Sequence, residues 1–307
     1  MMLVQRLQRW RIPLAAAFVV LSLLYGGVSV FLANGVTKAD REPFDETPTE
    51  YGLSFEEVEF STRDSDITLK GWYIPTTEDA PAIIFVHGLG STRAGDNAVG
   101  LAARLWTAGF NTLLFDLRGH GTSGDGKVSG GYFEQYDLKG AYDFLIGRGV
   151  ASERIGVIGF SMGASTSVLG VSGEPGIRAL VVDSPFANAS DLIAQEVARK
   201  TPVPKWLVPL FGPGTKFAAD AIHGIKLGAL DPESAVAGID YPILLIHGME
   251  DTRIPVEQGI RVHAASHQSS SLWLVPDTDH VDAFLNFPDE YAERVVAYFR
   301  ERLWTPQ

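Results

Sequence analysis

The chain has 307 residues, 46% of them hydrophobic and 20% charged, values of a folded domain with a sizeable core rather than of a disordered chain. Its net charge of −12 leaves no basic face to neutralise phosphates, which argues against nucleic-acid binding and against docking of the folded body on anionic lipid. The absence of cysteine excludes disulfides, thiol catalysis and cysteine-ligated metals.

Residues 14–33 read LAAAFVVLSLLYGGVSVFLA, without one charge. Roughly 20 apolar residues span a bilayer as a helix. Arg6, Arg9 and Arg11 precede the run and only Lys38 and Arg41 lie shortly after it. The positive-inside rule then predicts a cytoplasmic N-terminus and an extracytoplasmic remainder. The rival is a signal peptide, with Ala33-Asn34-Gly35 as a weak cleavage site and secretion as the outcome. Signal peptides have apolar cores of about 7–15 residues, so this longer run favours an uncleaved anchor. Residues 1–35 read as a stub and transmembrane anchor, 36–54, with Pro43 and Pro48, as a linker, and 55–307 as the folded domain.

Residues 58–62 and 67–74 alternate apolar and polar, as two antiparallel strands joined by a turn do. Continuous apolar runs follow at 82–86, 112–115, 155–158, 179–182, 243–246 and 272–275, a pattern of strands buried on both faces. Helix-like segments at 97–108, 135–146, 161–171 and 256–265 fall between most of them, and a last one covers 289–303. Such alternation predicts an α/β fold, a doubly wound and mostly parallel sheet. Almost sixty residues between Asp183 and Tyr241 hold no strand, which is too long for a structureless loop. A short helical cap over the sheet's active edge, inserted at about 187–238, is the expectation. Its proline-rich apolar stretch, 201–214, either lines a pocket for a hydrophobic substrate, touches the bilayer surface or packs on the core.

Gly159-Phe160-Ser161-Met162-Gly163 sits between the run 155–158 and a helix of small residues. Strand, tight turn and helix are the setting of a G-x-S-x-G nucleophile elbow. The turn strains the serine, so its neighbours two positions away must be small, and it exposes the hydroxyl at a helix N-terminus that favours negative charge. A serine nucleophile needs a base, and the base an orienting carboxylate. His280, in the loop after the last apolar run, is the expected base, because the ends of parallel strands share one edge. Asp251, after the run 243–246, is the expected carboxylate, with Glu250 and Asp183 as rivals. The oxyanion needs backbone donors; the N–H groups of Met162 and of Leu89, in His87-Gly88-Leu89-Gly90-Ser91, are the candidates. His87 reads as a brace for that loop. No cluster of His, Asp and Glu has metal-ligand spacing, so neither metal nor other cofactor is expected.

In this order His87-Gly88-Leu89-Gly90, Asp116 with Arg118-Gly119-His120-Gly121-Thr122-Ser123, Gly159 to Gly163, His247-Gly248 with Asp251 and Pro255, and His280 resemble the α/β-hydrolase superfamily, from about Glu56 onward. Leu230-Asp231-Pro232 and the short cap are similar to the serine aminopeptidase and monoacylglycerol-lipase-like branch and to prolyl-oligopeptidase-type domains. The resemblance implies the α/β-hydrolase fold and a Ser161–His280–Asp251 triad, with the Asp116 to Ser123 loop shaping the site without entering the chemistry. The expected activity is a membrane-anchored serine hydrolase that cleaves a carboxylic ester or thioester, with an apolar acyl group, through an acyl-enzyme. A peptidase or acyltransferase would use the same triad, although no propeller domain and no acidic pair for a peptide amine is present. Ser161 argues against haloalkane dehalogenases and epoxide hydrolases, which carry Asp at the elbow. A reading of another class is a non-catalytic interaction module tethered to the membrane.

Overall fold

Every position of β3 (Ala82–Val86), β4 (Asn111–Phe115), β5 (Ile155–Phe160), β6 (Ala179–Asp183) and β7 (Leu244–Gly248) is buried, the property their unbroken apolar runs encode. These strands come from a computed structural model that describes residues 2–35, 37–39, 41–44, 46–192, 204 and 206–304, with side chains from residue 12 onward. With β1 (Glu56–Ser61), β2 (Thr68–Ile74) and β8 (Ser271–Val275) they form one eight-stranded sheet in the order β1-β2-β4-β3-β5-β6-β7-β8. The β1–β2 and β2–β4 pairs are antiparallel and all others are parallel.

Alternate residues of each strand feed opposite layers. Ala82, Ile84 and Val86 of β3 join the core formed with α3 (Glu134–Gly147), α4 (Met162–Ser172) and, further along the sheet, Val262. Ile83 and Phe85 join the core on the other face, which includes Leu101 and Leu105 of α2 (Ala98–Thr107) and, near the C-terminus, Tyr291, Val295 and Phe299. Among the described residues the other α-helices with given bounds are α1 (Met2–Gly35), α5 (Val208–His223), α6 (Pro232–Val236), α7 (Val256–Ala265), α8 (Ala283–Asn286) and α9 (Pro288–Trp304).

Strand order fixes where chemistry can occur. From β3 the chain steps outward to β4, then returns past β3 to β5. The loops leaving the carboxyl ends of β3 and β5 therefore diverge and leave a crevice, the usual ligand position in a doubly wound sheet. The chain divides into two compact units, Met1–Thr37 with Ile193–Leu227, and Lys38–Leu192 with Gly228–Gln307. The second unit holds the whole sheet. In the first, Ile12–Gly35 of α1 is long and apolar enough to cross a bilayer. Of the proline-rich stretch 201–214, residues Thr201, Pro202, Val203 and Lys205 lie outside the described residues.

Candidate active site

Ser161 sits between β5 and α4 with φ 54° and ψ −120°, a backbone conformation that L-residues rarely adopt. Two features hold it there. Its N–H donates to the Asp183 carbonyl of the neighbouring strand (2.8 Å). Glycine at 163 lets the first turn of α4 press on the end of β3, since a Cβ there would strike the carbonyl oxygens of Val86 and His87. A Cβ at Gly159 would strike the Gly163 carbonyl and the Ser167 hydroxyl. The motif thus encodes a close approach of three backbones, with the hydroxyl as its only free product.

The loop after β8 brings His280 to this hydroxyl, with Nε2 2.8 Å from Ser161 Oγ. Its other nitrogen, Nδ1, lies 2.7 Å from Asp251 Oδ2, in the loop after β7. Asp251 Oδ1 accepts the N–H groups of Arg253 (2.9 Å) and Ile254 (2.7 Å). Burial alone would push the Asp251 carboxyl up; hydrogen bonds from His247 and His280 and the Ile254 amide overcome it and hold the group well below the usual carboxylate range. An ionised Asp251 can only accept, so Nδ1 of His280 carries the proton and Nε2 is left to accept from Ser161.

The rivals for the acid point elsewhere. Asp183 accepts from the Tyr291 hydroxyl (2.9 Å) and the Ser184 hydroxyl (3.0 Å), and Glu250 is exposed. Burial, only partly offset by those two hydrogen bonds, pushes the Asp183 carboxyl up to about 6.

The loop after β3 runs against the nucleophile: a Cβ added to Gly88 would stand 3.2 Å from Ser161 Cβ. Leu89 follows directly, and Met162 opens α4, where first-turn N–H groups lack helical partners. His87 braces this loop. Its Nδ1 donates to the Gly88 carbonyl (2.8 Å) and its Nε2 accepts the Leu117 N–H (3.0 Å). Burial, with the nearby His120 ring adding to it, pushes the imidazole down to about 3, so it stays neutral. The Asp116 to Ser123 loop is pinned from behind, because Asp116 accepts from the Arg93 amide (2.8 Å), the Arg93 guanidinium (2.8 Å) and the Thr122 amide (2.8 Å). Among the described residues no group of three His, Asp or Glu side chains is arranged to hold a metal.

Residues 83–294 match the family described as "Alpha/beta hydrolase family". The chain belongs to that family. Among curated relatives, the uncharacterized protein YfhR of Escherichia coli O157:H7 is 28% identical over 258 residues, 81% of this chain and 82% of its own length. The lysophosphatidylserine lipase ABHD12 of Danio rerio is 29% identical over 208 residues, 66% of this chain but only 51% of the lipase. Among solved structures, the Pyrococcus furiosus esterase Pf2001 superposes with a TM-score of 0.71 at 28% identity, covering 87% of this chain and 99% of the esterase.

This α/β hydrolase also holds residues at its candidate site to which the sequence reading gives no role. The Ile254 carbonyl can only accept, so the His247 Nε2 beside it (2.9 Å) carries a proton, which also faces Asp251 Oδ2 at 3.4 Å. His247 stands four residues before Asp251, in the His247-Gly248 pair that carries part of the family resemblance, but its contact with Asp251 is visible only in the fold. Asp96 accepts the Gly88 N–H (2.8 Å) from a turn in which Asp96 and Asn97 both have φ near 56°. Asp279 ties the two acid and base loops together by accepting the Thr252 amide (2.8 Å) and the His280 amide (2.8 Å).

Proposed function

We propose that this α/β hydrolase is a membrane-anchored serine esterase that works through Ser161, His280 and Asp251. The observation that carries the reading is the unbroken hydrogen-bond chain from Ser161 Oγ through both imidazole nitrogens to Asp251. In the reaction the Oγ attacks an acyl carbonyl while its proton passes to His280 Nε2. The negative charge on the carbonyl oxygen is met by the N–H groups of Leu89 and Met162, each worth about 3 kcal/mol of barrier in comparable sites. His280 gives its proton to the departing alcohol or thiol, leaving an acyl-enzyme. Water, deprotonated by the same nitrogen, then attacks the acyl carbon and releases the acid and the free serine. Asp251 stays ionised throughout, keeps Nδ1 protonated and stabilises the transient imidazolium.

The carboxylic ester or thioester as substrate is supported by the relatives, an esterase and a lysophosphatidylserine lipase by their names. The anchor, rather than a cleaved signal, is supported by the packing of α1. Tyr25 stacks on Phe211 (5.4 Å), and its hydroxyl accepts the Gly214 N–H (3.1 Å), so cleavage near Gly35 would strip α5 of its partner. The three arginines before α1's apolar stretch support an extracytoplasmic catalytic domain.

Replacing the nucleophile tests the reading. Ser161→Ala should abolish hydrolysis of a short p-nitrophenyl ester and covalent labelling by a fluorophosphonate. Labelling that survives in Ser161→Ala would move the nucleophile elsewhere.

A further inference from the structure

Helix α5 is built inside out for a helix in water. Apart from the Phe211 ring, which stacks on Tyr25, the side that meets α1 is small and polar. A Cβ at Gly214 would strike the Ser29 hydroxyl and come within 2.7 Å of the Tyr25 ring. Thr215, Ala218 and Ala219 are buried, and His223 Nε2 lies 2.7 Å from the Asn34 side-chain oxygen. The side facing away carries Leu210 (62% exposed), Pro213 and Phe217 (76% exposed), spaced i, i+3 and i+7 so that they form one stripe. Trp206, just before the helix, is 79% exposed. Small residues and polar contacts between helices, with large apolar side chains turned outward, are how helices pack in lipid. Scattered exposed apolar residues are ordinary, but a contiguous stripe is not.

The register says what covers it. Tyr25 meets Phe211 and Gly214, Ser29 meets Gly214, and Asn34 meets His223, so α5 runs parallel to the last third of α1. At 1.5 Å per residue, residues 25–35 are the final 15 Å or so of that helix, about half of a 30 Å hydrocarbon layer. On α1, Phe31 at this level and Leu24 just before it are exposed like the stripe on α5. Asp220, three residues beyond Phe217, ends the stripe within a turn of the level of Asn34, and Lys216 lies beside it, where the lysine stem can reach toward the headgroups.

We propose that α5 enters the bilayer beside α1, with Leu210, Pro213 and Phe217 against phospholipid acyl chains of the leaflet from which α1 emerges. The inference rests on the membrane-anchored reading above and adds a second membrane element to it. The cysteine-free chain allows a direct test. Full-length Leu210→Cys, Phe217→Cys, Leu23→Cys and Ser152→Cys variants, each labelled with a polarity-sensitive fluorophore, would be reconstituted in phosphatidylcholine vesicles. Quenching by doxyl-labelled phospholipid would be compared with quenching by aqueous iodide. The expected result is lipid quenching at 210, 217 and 23, at least threefold stronger than at 152, with iodide effective only at 152. Lipid quenching at 23 with iodide quenching at 210 and 217 would overturn the α5 proposal and leave the anchor standing. Shielding of 210 and 217 from both quenchers would mean that protein covers the stripe, and would also overturn it. Iodide quenching at 23 would remove anchor and proposal together, without touching the esterase chemistry, which the fluorophosphonate reads separately.

Discussion

Asp183 and Asp251 are the same side chain at the carboxyl side of two neighbouring strands, yet their surroundings drive them apart. Asp251 gathers two backbone amides and two imidazoles, which outweigh its burial and keep it ionised. Asp183 has two hydroxyl donors, which do not outweigh its burial. The proposed orienting role falls to Asp251 on geometry, since its Oδ2 faces His280 Nδ1 at 2.7 Å, and its lowered value keeps it ionised over a wider pH range than Asp183. Its burial also makes Asp183 a cost to stability at neutral pH. Its folded-state value, about 6, lies above the ordinary 3.8, so its contribution is fully present below the ordinary value and is lost as pH rises through about 6. Asp183→Asn cannot ionise. Its stability relative to the parent should therefore rise between pH 4 and pH 8, by on the order of 2 kcal/mol. Urea denaturation midpoints of both proteins across that range check this; a gap independent of pH would show that Asp183 is not held protonated by burial.

At the scale of elements, the elbow sets strand, turn and helix against one another, and glycine substitutions read the contacts. Ala for Gly in a helix ordinarily stabilises by about 0.5–1 kcal/mol. At Gly163 the added methyl would strike two carbonyl oxygens at the end of β3, and overpacking of that kind costs about 1–3 kcal/mol, so the clash wins. Gly147, the last residue of α3, has nothing within 4 Å of an added Cβ. Gly163→Ala should thus lower stability and remove most hydrolase activity, while Gly147→Ala should be neutral or slightly stabilising with activity unchanged; thermal melts and turnover of a p-nitrophenyl ester on both measure it. The same local rules explain what is legible in the sequence. All eight strands are, because continuous apolar runs and strict alternation are properties of each segment alone. The insertion of β2 between β1 and β4 is not, because alternation says that one face of a strand is buried but not which strand lies beside it. The four-residue α8 falls below the length at which periodicity is visible. At the site, Ser161, His280 and Asp251 stand in loops that leave strand ends, and parallel strands bring such loops together. His247 and Asp96 act through partners that only the folded chain supplies, a carbonyl seven residues away and an amide eight residues back.

The molecule as a whole joins two opposite solutions to burial. Around the sheet, large apolar side chains fill both layers, and among the described residues none in these two cores comes from the segment before Lys38. Between α1 and α5, by contrast, mostly small and polar groups meet, with the Tyr25–Phe211 stack, and large apolar side chains such as Leu210 and Phe217 face outward. The first arrangement suits water and the second, on the membrane reading proposed above, suits lipid, so removing α1 should affect them differently. A chain lacking residues 2–35 keeps every residue of the two sheet cores. Its thermal midpoint should stay within about 4 °C of the parent, the shift that about 1 kcal/mol produces in a domain of this size. It also keeps the stripe of Leu210, Pro213 and Phe217, now without a spanning helix beside it. It should still sediment with membranes, but an alkaline carbonate wash should release it, whereas the full chain should resist that wash, because an interfacial helix binds reversibly and a spanning helix does not. A truncated chain found wholly in the supernatant before any wash would show that α5 has no membrane affinity of its own. Combining the truncation with Leu210→Ser and Phe217→Ser separates the stripe from any other surface, since only loss of the remaining sedimentation in that variant assigns the affinity to α5.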